Sequence, residues 1–309
     1  MLKNNNKNWG PYLIVVAAFL WGIDGILRRM FAGIPPITII FFEHTIGAII
    51  LLPFAWSVAS KEKVSNKDFG YLILVSLLSG LLGTLWFTTA LLQTSFISFS
   101  VVFLLQKLQP IFAITTSSLI LKEKFEKSYV KWAVLAVVSA YFVTFKNGYI
   151  NWHTGQDTMI AALYALGAAF AWGTSTTFSK IILKNISAKT STIYRFLFTA
   201  LFSFIVMFFV GNCPSLTVVT PLQYGTFVLI ALSSGMVGLL IYYYGLKNTS
   251  VHASTILELF YPLVAVLIGI FIYHDVLSLS QYVAGIVLCF AIYKIATINK
   301  KIQVTKEIK

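Results

Sequence analysis

Ionisable side chains inside otherwise apolar runs are the residues here that could do chemistry. They are Asp24, Glu43, His44, Lys107, Arg195 and Glu258. A charge at the centre of a membrane-crossing helix costs about 2.5–3.5 kcal/mol on insertion scales. Each of these groups therefore needs a cavity or a partner. Glu258 is the strongest candidate. It lies one turn before Pro262, and a proline leaves a carbonyl unpaired in its preceding turn. A carboxylate beside freed backbone polarity suits a substrate group or a proton. Lys107 lies three residues before Pro110 and would take a substrate carboxylate or neutralise Glu258. Aligning the two prolines sets Gln106, not Lys107, against Glu258.

Glu43 and His44 are candidates for proton coupling, since burial raises a carboxyl pKa and His titrates near neutrality. The plainer expectation is an interfacial pair that snorkels to water. Asp24 is the third coupling candidate. It precedes Arg28 by four residues, so an intrahelical ion pair is its bland account. Arg195 is either an anchor or the partner of a carboxylate from another helix, and the sequence leaves both open.

The aromatic candidates for substrate contact are Trp21, Trp172, Tyr242 and Tyr243. Each Trp is followed by a Gly, which permits close helix approach. In the run Tyr242-Tyr243-Tyr244 at most one or two rings can face a cavity. Gly80, Gly83, Gly235 and Gly238 read as packing positions. There is no GxxxxGK[ST], HExxH or GxSxG. Two cysteines and four histidines without metal-site spacing suggest neither a zinc site nor a disulfide scaffold. No catalytic residue, cofactor or metal is expected, and the chain reads as a non-enzyme.

The elements that must position these groups follow from composition. Of 309 residues, 58% are hydrophobic and 11% charged, with a mean hydropathy of +0.83. Soluble domains carry about 25% charged residues, so an ordinary soluble enzyme is excluded. Apolar segments of spanning length run roughly over 11–30, 37–59, 69–91, 97–121, 129–146, 158–182, 190–210, 224–246, 251–273 and 281–298. The connections are short, and the first segment reads as a retained helix rather than a signal peptide. With the N-terminus inside, the outer loops hold only Arg28, Arg29 and Lys146. The remaining Lys and Arg, apart from Lys107 and Arg195 within helices, then fall on the inside. That asymmetry sets both termini in the cytoplasm. It also makes the net charge of +13 a topology signal rather than a nucleic-acid footprint.

The chain repeats itself. Ala17-Ala18-Phe19-Leu20-Trp21-Gly22 recurs as Ala168-Ala169-Phe170-Ala171-Trp172-Gly173. Pro110 and Glu123 recur in spacing as Pro262 and Asp275, and Leu91-x-x-Thr94-Ser95 as Leu246-x-x-Thr249-Ser250. This predicts an all-α membrane protein of ten transmembrane helices in two five-helix repeats, 1–150 and 151–309. An odd helix number inverts the second repeat relative to the first, as in many secondary transporters.

With its two halves, a Trp-Gly early in each, and a Pro followed by a helix-ending acid, the chain resembles the EamA-type carriers of the drug/metabolite transporter superfamily. The resemblance covers nearly the whole chain. It implies cytoplasmic termini, a central cavity, alternating access, and transport of amino acids and related metabolites. Such carriers often have an Arg early in the second helix of each half. Arg195 matches this, whereas the first half holds Glu43-His44. The expected function is gradient-driven or exchange transport of a small polar metabolite across the inner membrane. An amino acid is the preferred substrate, with Lys107 or Arg195 taking its carboxylate and Glu258 or Glu43 its ammonium. The alternatives are a carrier for a nucleotide, cofactor or other anionic metabolite, using Arg28, Arg29, Lys107, Lys180 and Arg195, and a non-transporting membrane component. The expected partners are a small-molecule substrate and the lipid bilayer, not nucleic acid, and a homo-oligomer is compatible with this reading.

Overall fold

The computed structural model describes residues 9–31, 33–59, 62–93, 106, 108–123, 127–149, 156–274 and 277–308. Lys107 and Asp275 lie outside the described residues, as does most of the expected fourth segment before Gln109. All regular structure among the described residues is helical. The helices are α1 Gly10–Arg29, α2 Pro36–Ala59, α3 Asn66–Val75, α4 Thr84–Gln93, α5 Gln109–Ile120, α6 Lys127–Thr144 and α7 Gln156–Asn185. They continue with α8 Ala188–Phe209, α9 Pro221–Leu232, α10 Met236–Lys247, α11 Val251–Leu257, α12 Tyr261–Tyr273 and α13 Leu279–Ile308. A π-helical stretch, Ser76–Gly83, joins α3 to α4. Among the described residues six runs are long and apolar enough to cross a membrane: Gly10–Arg28, Pro36–Ala55, Asn66–Leu92, Ala188–Phe209, Pro221–Lys247 and Leu279–Ile298. Val251–Val264 is a shorter apolar helix.

Local chemistry sets the helix ends. Ser65, Ser187 and Ser250 each accept a backbone N–H three residues on, and Thr220 closes a capping box with Gln223. At the C-terminus of α10, Lys180 Nζ donates to the carbonyls of Leu246 (2.6 Å), Lys247 (2.9 Å) and Thr249 (2.8 Å). A cation there complements the helix dipole. Lys180 does not line the cavity described below.

The principal helix pairings are α6 with α13, α2 with α8, α1 with α10 and α5 with α7. Lipid is as apolar as a helix face, so close packing rather than water exclusion must hold such pairs. Small residues allow it. A Cβ on Gly80 would sit 2.0 Å from Thr199 Oγ1, and one on Gly22 2.4 Å from Val264 Cβ. Large apolar side chains such as Phe209, Phe271 and Ile286 point outward, as lipid contact requires.

Candidate functional site

A cavity of about 190 Å³ lies between helices from both ends of the chain. Trp21, Asp24 and Arg28 reach it from α1, and Glu43 and His44 from α2. Trp172 reaches it from α7, Arg195 from α8, Tyr242 from α10 and Glu258 from the 3-10 turn after α11. The structure thus brings most of the sequence-derived candidates onto one wall system.

Two tryptophans frame it reciprocally. Trp21 Nε1 donates to the Ser234 carbonyl at 3.0 Å, and Trp172 Nε1 to the Ser79 carbonyl at 3.1 Å. Both acceptors lie where the regular helix is interrupted, in the π-helical stretch and in the break at Ser233–Gly235. Such breaks free carbonyls from the i→i−4 ladder. Trp21 also packs on Tyr242, with ring centroids 5.0 Å apart.

Glu258 sits in a polar pocket of neutral groups. Its Oε1 accepts from Tyr242 (2.7 Å) and Ser254 (3.2 Å), and its Oε2 accepts from Gln109 Nε2 (2.9 Å). The freed carbonyl expected before Pro262 is absent. The chain tightens into a 3-10 turn, Glu258–Phe260, and Tyr261 N–H donates to the Glu258 carbonyl. Gln109, one turn beyond the aligned Gln106, is the residue that reaches Glu258.

A second polar cluster surrounds Arg28. Its Nε pairs with Asp24 Oδ2, its Nη2 with Glu43 Oε2 at 2.8 Å, and its Nη1 with Thr88 Oγ1 at 3.2 Å. Ser234 Oγ donates to Asp24 Oδ1 at 2.7 Å. The expected Asp24–Arg28 pair is present, but it extends into a triad with Glu43. The snorkelling expectation for Glu43 and His44 is corrected, since each is only 4% exposed. Arg28 holds the Glu43 carboxylate inside. His44 Nδ1 lies 2.9 Å from the Ile40 carbonyl, and its ring packs on Phe196.

Tyr243 does not line the cavity. It is buried behind it, and its hydroxyl accepts from Arg195 Nη1 at 3.0 Å. Arg195 Nη2 donates to Ser79 Oγ. Tyr244 is exposed. Sequence reasoning did not single out Gln109, Ser79, Ser234, Thr176, Thr255 or Phe87, all on the cavity wall. Hydroxyl and amide residues carry no insertion signal comparable to a charge. No cluster of metal-ligating side chains is found among the described residues.

An all-helical chain with several membrane-length spans and a charged, aromatic-lined cavity between them is a multi-pass membrane protein of the carrier type. Residues 8–145 and 159–297 each match the EamA-like transporter family, and the chain belongs to that family. The riboflavin transporter ImpX of Fusobacterium nucleatum is 35% identical over 299 residues, covering 96% of this chain and all of that relative. The uncharacterized transporter YwfM of Bacillus subtilis is 22% identical over 93% of this chain and 94% of its own length. One crystal structure shares the fold at a TM-score of 0.74 and 14% identity, over 95% of this chain and 98% of that one.

Proposed function

We propose that this protein is a secondary carrier for riboflavin or a close flavin relative, working by alternating access in the inner (cytoplasmic) membrane. The observation that carries this is the 35% identity, end to end, with a protein named as a riboflavin transporter. The chemistry of the cavity wall supports it. Trp21, Trp172, Phe87 and Tyr242 offer ring faces, and the Glu258 cluster offers acceptors and donors suited to a polyhydroxyl chain. In this reading the moving parts are two inverted five-helix repeats, 1–150 and 151–309. They make ten spans with both termini cytoplasmic, as the Lys and Arg distribution suggests. The cofactor alternative thereby overtakes the amino-acid expectation. That expectation keeps one supporting observation: Glu258 and Arg195, of opposite charge, line the same cavity.

The test is uptake into proteoliposomes of labelled riboflavin and of a labelled amino-acid panel, with and without a pH gradient. Saturable riboflavin flux that unlabelled amino acids do not compete supports the proposal. Amino-acid flux with no riboflavin flux would return the substrate to the earlier expectation.

A further inference from the structure

We infer that Arg195 is the residue that docks the carbonyl edge of an uncharged ring substrate. This inference rests on the flavin reading above. Among the described residues two guanidinium groups line the cavity, and they are not equivalent. Arg28 is engaged by two carboxylates and a hydroxyl. Arg195 makes no ion pair among the described residues. Its Nη groups rest on the hydroxyls of Ser79 and Tyr243, and its buried Nε has no hydrogen-bond partner among the described residues. A buried donor left unpaired is costly, and a ligand acceptor would relieve that cost.

Two further buried atoms without a hydrogen-bond partner among the described residues belong to residues of the same cavity wall, Gln106 Oε1 and Thr255 Oγ1. The three together offer a charged donor, a pure acceptor and a hydroxyl that can do either. A flavin ring carries the complement on one edge, a cyclic imide in which an N–H lies between two carbonyls. Arg195 serves a carbonyl oxygen, and Gln106 Oε1 is an acceptor for the imide N–H.

Charge excludes the phosphorylated forms. Among the described residues the wall carries the carboxyl groups of Asp24, Glu43 and Glu258 against the two arginines. A phosphate monoester adds about −1.5 to −2 charges at neutral pH, and Arg195 is the one described guanidinium not already paired with a carboxylate. Unphosphorylated flavin brings no such charge.

The experiment is flavin fluorescence titration of the purified full chain in detergent. The probes are riboflavin, lumiflavin (the same isoalloxazine ring with a methyl group in place of the ribityl chain) and riboflavin 5′-phosphate. Arg195→Gln is expected to weaken riboflavin and lumiflavin by the same factor, about 10- to 100-fold, the range for one charge-assisted hydrogen bond. On the wild type, riboflavin 5′-phosphate is expected to bind at least about tenfold more weakly than riboflavin. Unchanged affinity of Arg195→Gln for both flavins overturns the assignment. So does a loss for riboflavin alone, which would put Arg195 on the ribityl chain, and so does equal affinity for the phosphate. Should Arg195→Gln not fold, Tyr243→Phe carries the test. It removes only the hydroxyl that positions the guanidinium, and both flavins are expected to weaken together. Unchanged binding there overturns the assignment as well. A wild type that binds neither flavin refutes the flavin reading itself, and this inference with it.

Discussion

Replacing Gly83 by Ala adds one methyl where the structure has no room. A Cβ built there lies 2.5 Å from Trp172 Nε1, 2.6 Å from Cδ1 and 3.2 Å from the Leu78 carbonyl. Carbon contacts settle near 3.5–4.0 Å, so the indole must retreat by about 1 Å. Its 3.1 Å hydrogen bond to the Ser79 carbonyl cannot survive that displacement. Overpacking costs about 1–3 kcal/mol and the lost bond about 1 kcal/mol. Removing a helical glycine returns about 0.5–1 kcal/mol. The net is a destabilisation of about 1–3 kcal/mol. The corresponding change at Gly238 is different. Its nearest neighbours are the Ser233 carbonyl at 3.2 Å and Trp21 Nε1 at 3.3 Å. Shifts of a few tenths of an ångström suffice, and the glycine term offsets them. Thermal unfolding of both variants in one detergent, followed by tryptophan fluorescence, separates the cases. Gly83→Ala is expected to lose about 3–10 °C and Gly238→Ala to stay within about 2 °C of wild type. Because Trp172 walls the cavity, flavin affinity should fall in Gly83→Ala as well. Equal shifts, or the reverse order, would refute the reasoning.

Glu258→Gln keeps the shape but replaces an acceptor oxygen by an amide nitrogen within reach of Tyr242, Ser254 and Gln109. Riboflavin flux in proteoliposomes should fall by about tenfold or more with the unfolding temperature little changed; wild-type flux would remove Glu258 from the site. Arg28→Met strands the Asp24 and Glu43 carboxylates, a loss of about 3–5 kcal/mol. The triple variant Asp24→Asn, Glu43→Gln, Arg28→Met should recover part of it, and size-exclusion yield of folded protein compares the two. Glu62, outside the apolar spans, accepts from Ser187 N–H at 3.0 Å and the Thr190 hydroxyl at 2.7 Å. Partial burial pushes its carboxyl upward, but these bonds and the Lys247 charge outweigh that and hold it below its ordinary 4.5. A depressed folded-state pKa contributes stability that is present above 4.5 and disappears as pH falls through the folded value. Glu62→Gln should therefore unfold slightly below wild type at neutral pH and level with it in acid. A difference that persists in acid would dissociate the effect from this carboxylate.

The residues legible in the sequence were those whose burial is costly or whose pattern repeats. Glu258 and the Glu43-His44 pair stand out because a charge in an apolar run needs an explanation. Trp21 and Trp172 stand out because their context recurs. Asp24–Arg28 follows from helical spacing, but the arrival of Glu43 depends on how α1 crosses α2, for which the sequence has no local sign. The acceptors of the two indole N–H groups were invisible for a different reason. They are backbone carbonyls, exposed by a π-helical stretch and a helix break, and a carbonyl has no residue type. In the tyrosine run, periodicity could limit how many rings face inward but not choose among them. The structure turns Tyr242 to the cavity, Tyr243 to Arg195 and Tyr244 outward.

The scaffold and the chemistry of the cavity obey different symmetries. Each Trp from one family-matched stretch donates to a serine carbonyl in the other. Gly22 abuts Val264, and Gly173 abuts Phe112, again across the two stretches. These contacts repeat at a nearly constant offset. The charged residues that line the cavity do not repeat. The offset that takes Trp21 to Trp172 takes Asp24 to Ser175, Arg28 to Ser179 and His44 to Arg195. The offset that takes Pro110 to Pro262 takes Gln106 to Glu258. At the first two and the last of these positions one copy holds a charge and the other a neutral polar group; at the third, an imidazole faces an arginine across the symmetry. All eight line the cavity. A perfectly symmetric cavity would present a substrate without two-fold symmetry with two equivalent poses, and half its polar groups would be mismatched in each. Unpaired buried polar groups are what such a site can least tolerate. Divergence of charge over a conserved geometry of Trp and Gly contacts removes one pose and leaves the proposed rocking motion intact.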